Sequence, residues 1–143
     1  MYITPIQFAT PEYDEAVQLR DLILRKPLGL SFSVAFLSAE YADTHLAAYS
    51  DTGLLLGVLL LTHQDENRVQ MRQVAVCEQA QKQGVGKALV LFSESYSKGK
   101  KYSKMILHAR REAVSFYEKL GYRQVGEEYI EVGIPHLSME KDL

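Results

Sequence analysis

The sequence has one cysteine, Cys77, and no tryptophan among its 143 residues. One thiol cannot close an internal disulfide, so neither a disulfide framework nor a cysteine-rich zinc site holds this chain together. Long hydrophobic runs are missing too. The longest, Leu54 to Leu61, is interrupted by Gly57 and falls far short of the ~20 apolar residues that span a bilayer. Charge of one sign is also lacking: 16 Lys and Arg stand against 18 Asp and Glu, a net −2. That balance supplies no broad positive field for nucleic acid, and neither nucleic acid nor membrane is expected as a partner. Four prolines and nine glycines are scattered without forming a linker, and no repeat appears. The opening Met1-Tyr2-Ile3-Thr4-Pro5 has no charged region leading into an apolar stretch. A signal peptide is therefore not expected, and a cytoplasmic location is. His45, His63, His108 and His136 show no metal-ligand spacing, so no metal is expected.

What is present is the balance of a soluble globular protein, 47% hydrophobic and 24% charged, of a length that makes one domain over residues 1–143. Thr10-Pro11-Glu12 reads as a helix start. Thr10 can cap, Pro11 fits the first helical position, and Glu12, Asp14 and Glu15 suit the positive end of the helix dipole. Ala16, Leu19 and Ile23 continue at helical spacing to Pro27-Leu28-Gly29. Ser31 to Asp43 reads as a short helix or an irregular connection. His45 to Tyr49 and Leu54 to Thr62 read as strands joined at Asp51-Thr52-Gly53. The second is apolar at nearly every position and is expected to be central, covered on both faces. In the next strand, Arg68 to Cys77, Val69 and Met71 mark one face while Val74 and Val76 fall on the opposite phase. Side chains alternate with a period of two, so the pattern implies either burial on both faces or a bulge near Gln73.

Directly after this strand comes Gln81-Lys82-Gln83-Gly84-Val85-Gly86-Lys87, and a helix follows, with Val85, Ala88, Leu89, Phe92 and Tyr96 on one face and Gly99 closing it. A strand, a glycine-bearing loop and a helix N-terminus make an anion site. The first helical amides have no intrahelical acceptor, and glycine lets an anion approach the backbone. A tight structural turn accounts for a bare Gly-x-Gly equally well. No Gly is followed five residues on by Gly-Lys-Ser/Thr, and Leu89 stands where a dinucleotide fingerprint has its third glycine. Further on, a strand from Met105 to Ala109 precedes Ala113-Val114-Ser115-Phe116-Tyr117-Glu118-Lys119-Leu120-Gly121-Tyr122. Ala113, Phe116, Tyr117 and Leu120 form a helical stripe, so by periodicity alone Tyr117 can be a core aromatic.

Taken together, Gln81-x-x-Gly84-x-Gly86 after an irregular strand and the Ala113–Tyr122 region resemble the GNAT family of N-acetyltransferases. The resemblance runs from about Leu54 to the C-terminus. Gly133-Ile134-Pro135-His136 followed by Met139 looks like the family's ElaA-type branch. The resemblance implies an α/β fold: a twisted, mixed sheet of six or seven strands with helices on both faces and a bulged central strand. It implies acetyl-CoA as cosubstrate and a primary amine, small molecule or peptide, as acceptor, in a monomer or homodimer. A non-catalytic acyl-CoA-binding sensor or interaction module is the alternative.

By the same resemblance, the backbone of Val74, Ala75 and Val76 would bond the pantetheine arm, and the amides of Gln81, Lys82, Gln83, Gly84, Val85, Gly86 and Lys87 would hold the pyrophosphate. Tyr117 stands where the family has its general acid. A phenol of pKa about 10 is protonated at neutral pH and can donate to a departing thiolate. The family has no fixed base. His136 is the first candidate, Glu131 the second and His108 the third. Many members have Asn where this chain has Arg110, which could reach a phosphate or a carboxylate or face solvent. Cys77 has no neighbouring histidine in sequence and reads as structural.

Overall fold

A computed structural model describes all residues from Met1 to Leu143. Seven strands form one sheet: β1 (Tyr2–Ile6), β2 (Thr44–Tyr49), β3 (Leu55–His63), β4 (Arg68–Val76), β5 (Lys104–Arg110), β6 (Arg123–Glu131) and β7 (Ile134–Asp142), in the order β1-β2-β3-β4-β5-β7-β6. Only β4 and β5 run parallel. The helices are α1 (Pro11–Arg20), α2 (Val34–Ser38), α3 (Val85–Gly99) and α4 (Val114–Lys119). This is the mixed, two-sided architecture the sequence implies.

The alternation of β2 and β3 divides the core between two faces. Ala16 and Leu19 of α1 cover Ala47, Tyr49, Val58 and Ala75 on one side. Val85, Leu89 and Val90 of α3 pack on Leu46, Leu59 and Leu61 on the other. Each such leucine removed from water contributes about 1.5–3 kcal/mol. Central β3 is buried from Gly57 to Leu61, as its largely apolar sequence demands. A Cβ at Gly57 would stand 2.9 Å from Leu89 Cδ1 and 3.2 Å from the Ala75 carbonyl oxygen. Glycine at this position is what lets α3 lie so close to the sheet.

Helix α1 starts as expected, with the Thr10 hydroxyl accepting from the Tyr13 amide and Pro11 in the first turn. Its end differs from the sequence reading. The α-helix gives way after Arg20 to a π-helical turn, Asp21–Arg25, then a 3-10 turn, Lys26–Leu28, closed by Gly29 at φ +69°. The reason is tertiary. Arg20 turns inward to a bidentate pair with Glu40, at 2.8 and 2.6 Å, both side chains almost fully buried. Tyr13 Oη adds a 2.8 Å bond to Glu40, and His45 Nε2–H donates to the Glu40 carbonyl at 3.0 Å. Strand β1 is not foreseen from the sequence, because Pro5 weakens its strand signal. Pro5 is tolerated because β1 lies at the sheet edge, where a missing N–H costs no ladder bond.

Candidate active site

The irregular phase of β4 resolves into a bulge. Val58 pairs with Ala75 and Leu60 with Arg72, so Gln73 and Val74 together oppose Leu59. Gln73 takes φ +56°, a left-handed conformation uncommon outside glycine and asparagine. Pairing with β5 covers only Arg68 to Met71. Past that point the strands part, and the β5-facing edge of β4 from Arg72 to Val76 has no strand partner. A cleft of about 430 Å³ opens there, bordered by Val74, Ala109, Tyr117 and His136.

The loop after β4 meets the start of α3 beside this opening. Lys82 and Gly84 both take positive φ, +63° and +84°. The first intrahelical bond is Ala88 N–H to the Gly84 carbonyl, so the amides before it have no acceptor within the helix. Gly84 is exposed, and a Cβ there would meet nothing within 4 Å. The loop is thus an open concavity of amides with Lys82 and Lys87 exposed at its rim. Gln81 Nε2 donates to the Val76 carbonyl at 3.1 Å and Gln83 Nε2 to that of Gln79 at 3.0 Å, fastening the loop to the strand end. Such an unpaired strand edge leading to an anion cradle fits a long polar arm ending in a pyrophosphate.

Tyr117 is both a core residue and a cleft residue. It is 7% exposed and packs edge-on against Phe116 and Tyr122. Burial pushes its phenol up to about 12. Cys77, the free thiol, packs half-buried against the core, in keeping with a structural role.

The three candidate bases converge on one wall of the cleft. A two-residue turn, Val132 at φ +46° and Gly133 at +79°, folds β7 back on β6. Glu131 therefore faces His136, with 3.6 Å between Glu131 Oε2 and His136 Nε2. Its other oxygen accepts from His108 Nδ1–H at 3.2 Å. His136 is 4% exposed, and its Nδ1 lies 3.0 Å from the Ile134 carbonyl, which can only accept. Nδ1 therefore carries a proton, and in the tautomer this bond selects the lone pair lies on Nε2, on the side of Glu131.

Residues 32–143 match the family model described as an acetyltransferase (GNAT) domain. The chain belongs to this family. Among curated relatives it is 37% identical over 73 residues to the uncharacterized N-acetyltransferase YjcF of Bacillus subtilis (strain 168), covering 50% of this chain and 52% of that one. The chain spans about half the length of the first curated relatives it matches. Among solved structures, Escherichia coli ElaA superposes with TM-score 0.79 at 19% identity over 98% of both chains. A GNAT acetyltransferase from Elizabethkingia anophelis with acetyl-CoA bound gives TM-score 0.76 at 22% identity, covering 99% of this chain and 97% of that one. At such identities these likenesses speak for the GNAT fold.

Within this GNAT framework Arg110 does not simply face solvent. It lines the cleft, and its Nη2 donates to the Leu24 carbonyl in the π-turn at 2.9 Å. Several cleft residues escape sequence reasoning altogether: Leu24, Arg25, Phe36 and Arg72. Arg25 sits in Arg25-Lys26-Pro27, which in sequence resembles the basic end of any helix, and Phe36 lies in the segment without a clear pattern. Only the bulge phase near Gln73 carries a signal. No group of three or more His, Cys, Asp or Glu side chains is arranged to hold a metal ion.

Proposed function

We propose that this protein, acting as one domain over residues 1–143, transfers the acetyl group of acetyl-CoA to a primary amine by direct attack. The observation that carries this reading is the parting of β4 from β5 at the Gln73 bulge, with Tyr117 and the Glu131–His136 pair both lining the cleft that opens there. The β4 edge from Val74 through Ala75 to Val76 would bond the pantetheine arm. The amides from Gln81 to Lys87 would hold the pyrophosphate at the start of α3.

An alkyl ammonium must lose a proton before it can attack. His136 Nε2 would take that proton, and the facing Glu131 carboxylate stabilises the imidazolium formed. His108 is held on the same carboxylate and helps to fix its orientation. The amine nitrogen then bonds to the thioester carbonyl carbon, and the C–S bond breaks as the tetrahedral intermediate collapses. Tyr117 would donate its proton to the leaving sulfur, for which a buried, protonated phenol is suited; the second proton of the attacking nitrogen, shed on collapse, would restore the phenol, and that on His136 would pass to solvent.

Calorimetric titration with acetyl-CoA, followed by a free-thiol assay on a panel of amines, tests the reading. Saturable binding with thiol release dependent on an amine is the expected outcome. Binding with no release from any amine would favour a non-catalytic acyl-CoA sensor, and absence of binding would remove the assignment of the loop.

A further inference from the structure

The cleft holds an arginine with no anionic partner. Three guanidinium groups, of Arg25, Arg72 and Arg110, line it. Two are already engaged. Arg72 Nη1 lies 3.7 Å from Asp43 and donates to Thr62 Oγ1 at 3.1 Å, and Arg110, which also has no anionic partner, donates from Nη2 to the Leu24 carbonyl at 2.9 Å. Arg25 makes neither an ion pair nor a side-chain hydrogen bond. Its guanidinium carbon stands 4.7 Å from the Phe32 ring centre and 5.5 Å from that of Phe36. The rings hold the group by cation–π contact, and no other side chain takes its N–H donors. Burial, together with the charges of Arg20, Arg110 and Arg72, holds the Arg25 guanidinium below its ordinary value, while Glu131 acts in the opposite sense. An anion beside Arg25 would relieve that repulsion.

Other residues lining the cleft have the complementary character. Glu131 offers negative charge, and Gln73 Oε1 is a buried acceptor with no hydrogen-bond partner. A donor N–H would satisfy it. One cleft therefore presents a planar cation without an ion-pair partner at the π-turn and an unfilled acceptor, Gln73 Oε1, at the bulge.

Building on the acetyl-transfer reading above, we propose that the acceptor is an amine that also carries a carboxylate, with Arg25 binding the carboxylate while the amine lies towards Gln73 and Glu131. Arg25 is the cleft guanidinium with none of its N–H donors taken, and its fork matches the two oxygens of a carboxylate. Arg25 is thus a specificity residue and takes no part in bond making.

The test compares kcat/KM for straight-chain amino carboxylates of increasing length, each beside its carboxamide and its aminoalkyl phosphonate. For the length that spans the cleft, the carboxylate is expected to exceed the carboxamide by about 10–100-fold, the worth of a hydrogen-bonded charge. Arg25→Met should collapse that ratio towards one, chiefly through KM, and Arg25→Lys should restore part of it. Acetyl-CoA affinity, measured on each variant, reports whether the fold is intact. Equal use of carboxylates and carboxamides by the unaltered protein would overturn the proposal, as would a preference for the phosphonate or a ratio that survives in Arg25→Met. Turnover of simple amines without any carboxylate preference would sink this inference alone. Acetyl-CoA binding with no turnover of any amine would remove the transfer reading and this inference with it.

Discussion

At the scale of single residues, Tyr117 shows how one side chain answers two demands. Its ring completes the packing of α4, and the same burial keeps its proton on, since the charged phenolate is what an apolar setting penalises. Tyr117→Phe preserves the ring and removes the hydroxyl, so turnover should fall by about 10²–10⁴-fold with thermal stability little changed. With the phenol pushed up to about 12, the protonated form persists across the assay range. Any alkaline limb seen below about pH 10 should therefore belong to another group. Steady-state pH profiles of both proteins check this, and unchanged turnover in the variant would take the phenol out of the mechanism. Tyr117 was legible in the sequence because its neighbours carry a family pattern. Arg25 was not, since its meaning depends on Phe32, Phe36 and the hydrogen bonding of two other arginines.

At the scale of elements, the loop and the start of α3 act as one unit. Gly84 is required for its φ of +84° and for the open space in front of it. Gly84→Glu should strain the backbone and place a carboxylate in a cradle of amide donors. The expected outcome is loss of coenzyme A binding in calorimetry with the circular dichroism of the folded protein retained. Ordinary affinity would refute the loop as the pyrophosphate site. The bulge in β4 could be suspected from the phase of Val74 and Val76, but two-sided burial predicted the same pattern. The register opposite Leu59 decides between them. The π-turn after α1 left no mark in the sequence, because the widened helix is drawn by Arg20 turning to Glu40 and by Arg110 reaching the Leu24 carbonyl.

At the scale of the whole molecule, the Arg20–Glu40 pair ties the end of α1 to the segment after α2, and so holds the π-turn and Phe36 over the cleft. Burial by itself would raise the Glu40 carboxyl, but the hydrogen bonds and charge of Arg20 outweigh it and leave it below the usual range. A depressed carboxylate stabilises the fold above its unfolded value, about 4.3, and that contribution is lost as pH falls through the lower folded value. Glu40→Ala strands a buried guanidinium and should cost about 3–5 kcal/mol at neutral pH. The gap between variant and parent should narrow in acid. Denaturant unfolding at pH 7 and pH 3 checks both the size and the sign. An equal gap at the two values would mean that Glu40 contributes through packing and not through charge.

Local and periodic properties were settled by the chain itself. The capped start of α1, the fully apolar central strand, the glycine-bearing loop before α3 and the Tyr117 region all follow from residues within a few positions of one another, where backbone preference and side-chain period act directly. Tertiary structure decided what depends on residues far apart. It brought His108, Glu131 and His136 from three strands onto one wall, which made three rival candidates into a connected set. It also set Arg25, Arg72 and Arg110 around one cleft while giving an anionic partner to Arg72 alone. Charge balance in a cleft is a property of which groups meet, and contacts across tens of residues are fixed by packing and not by spacing along the chain.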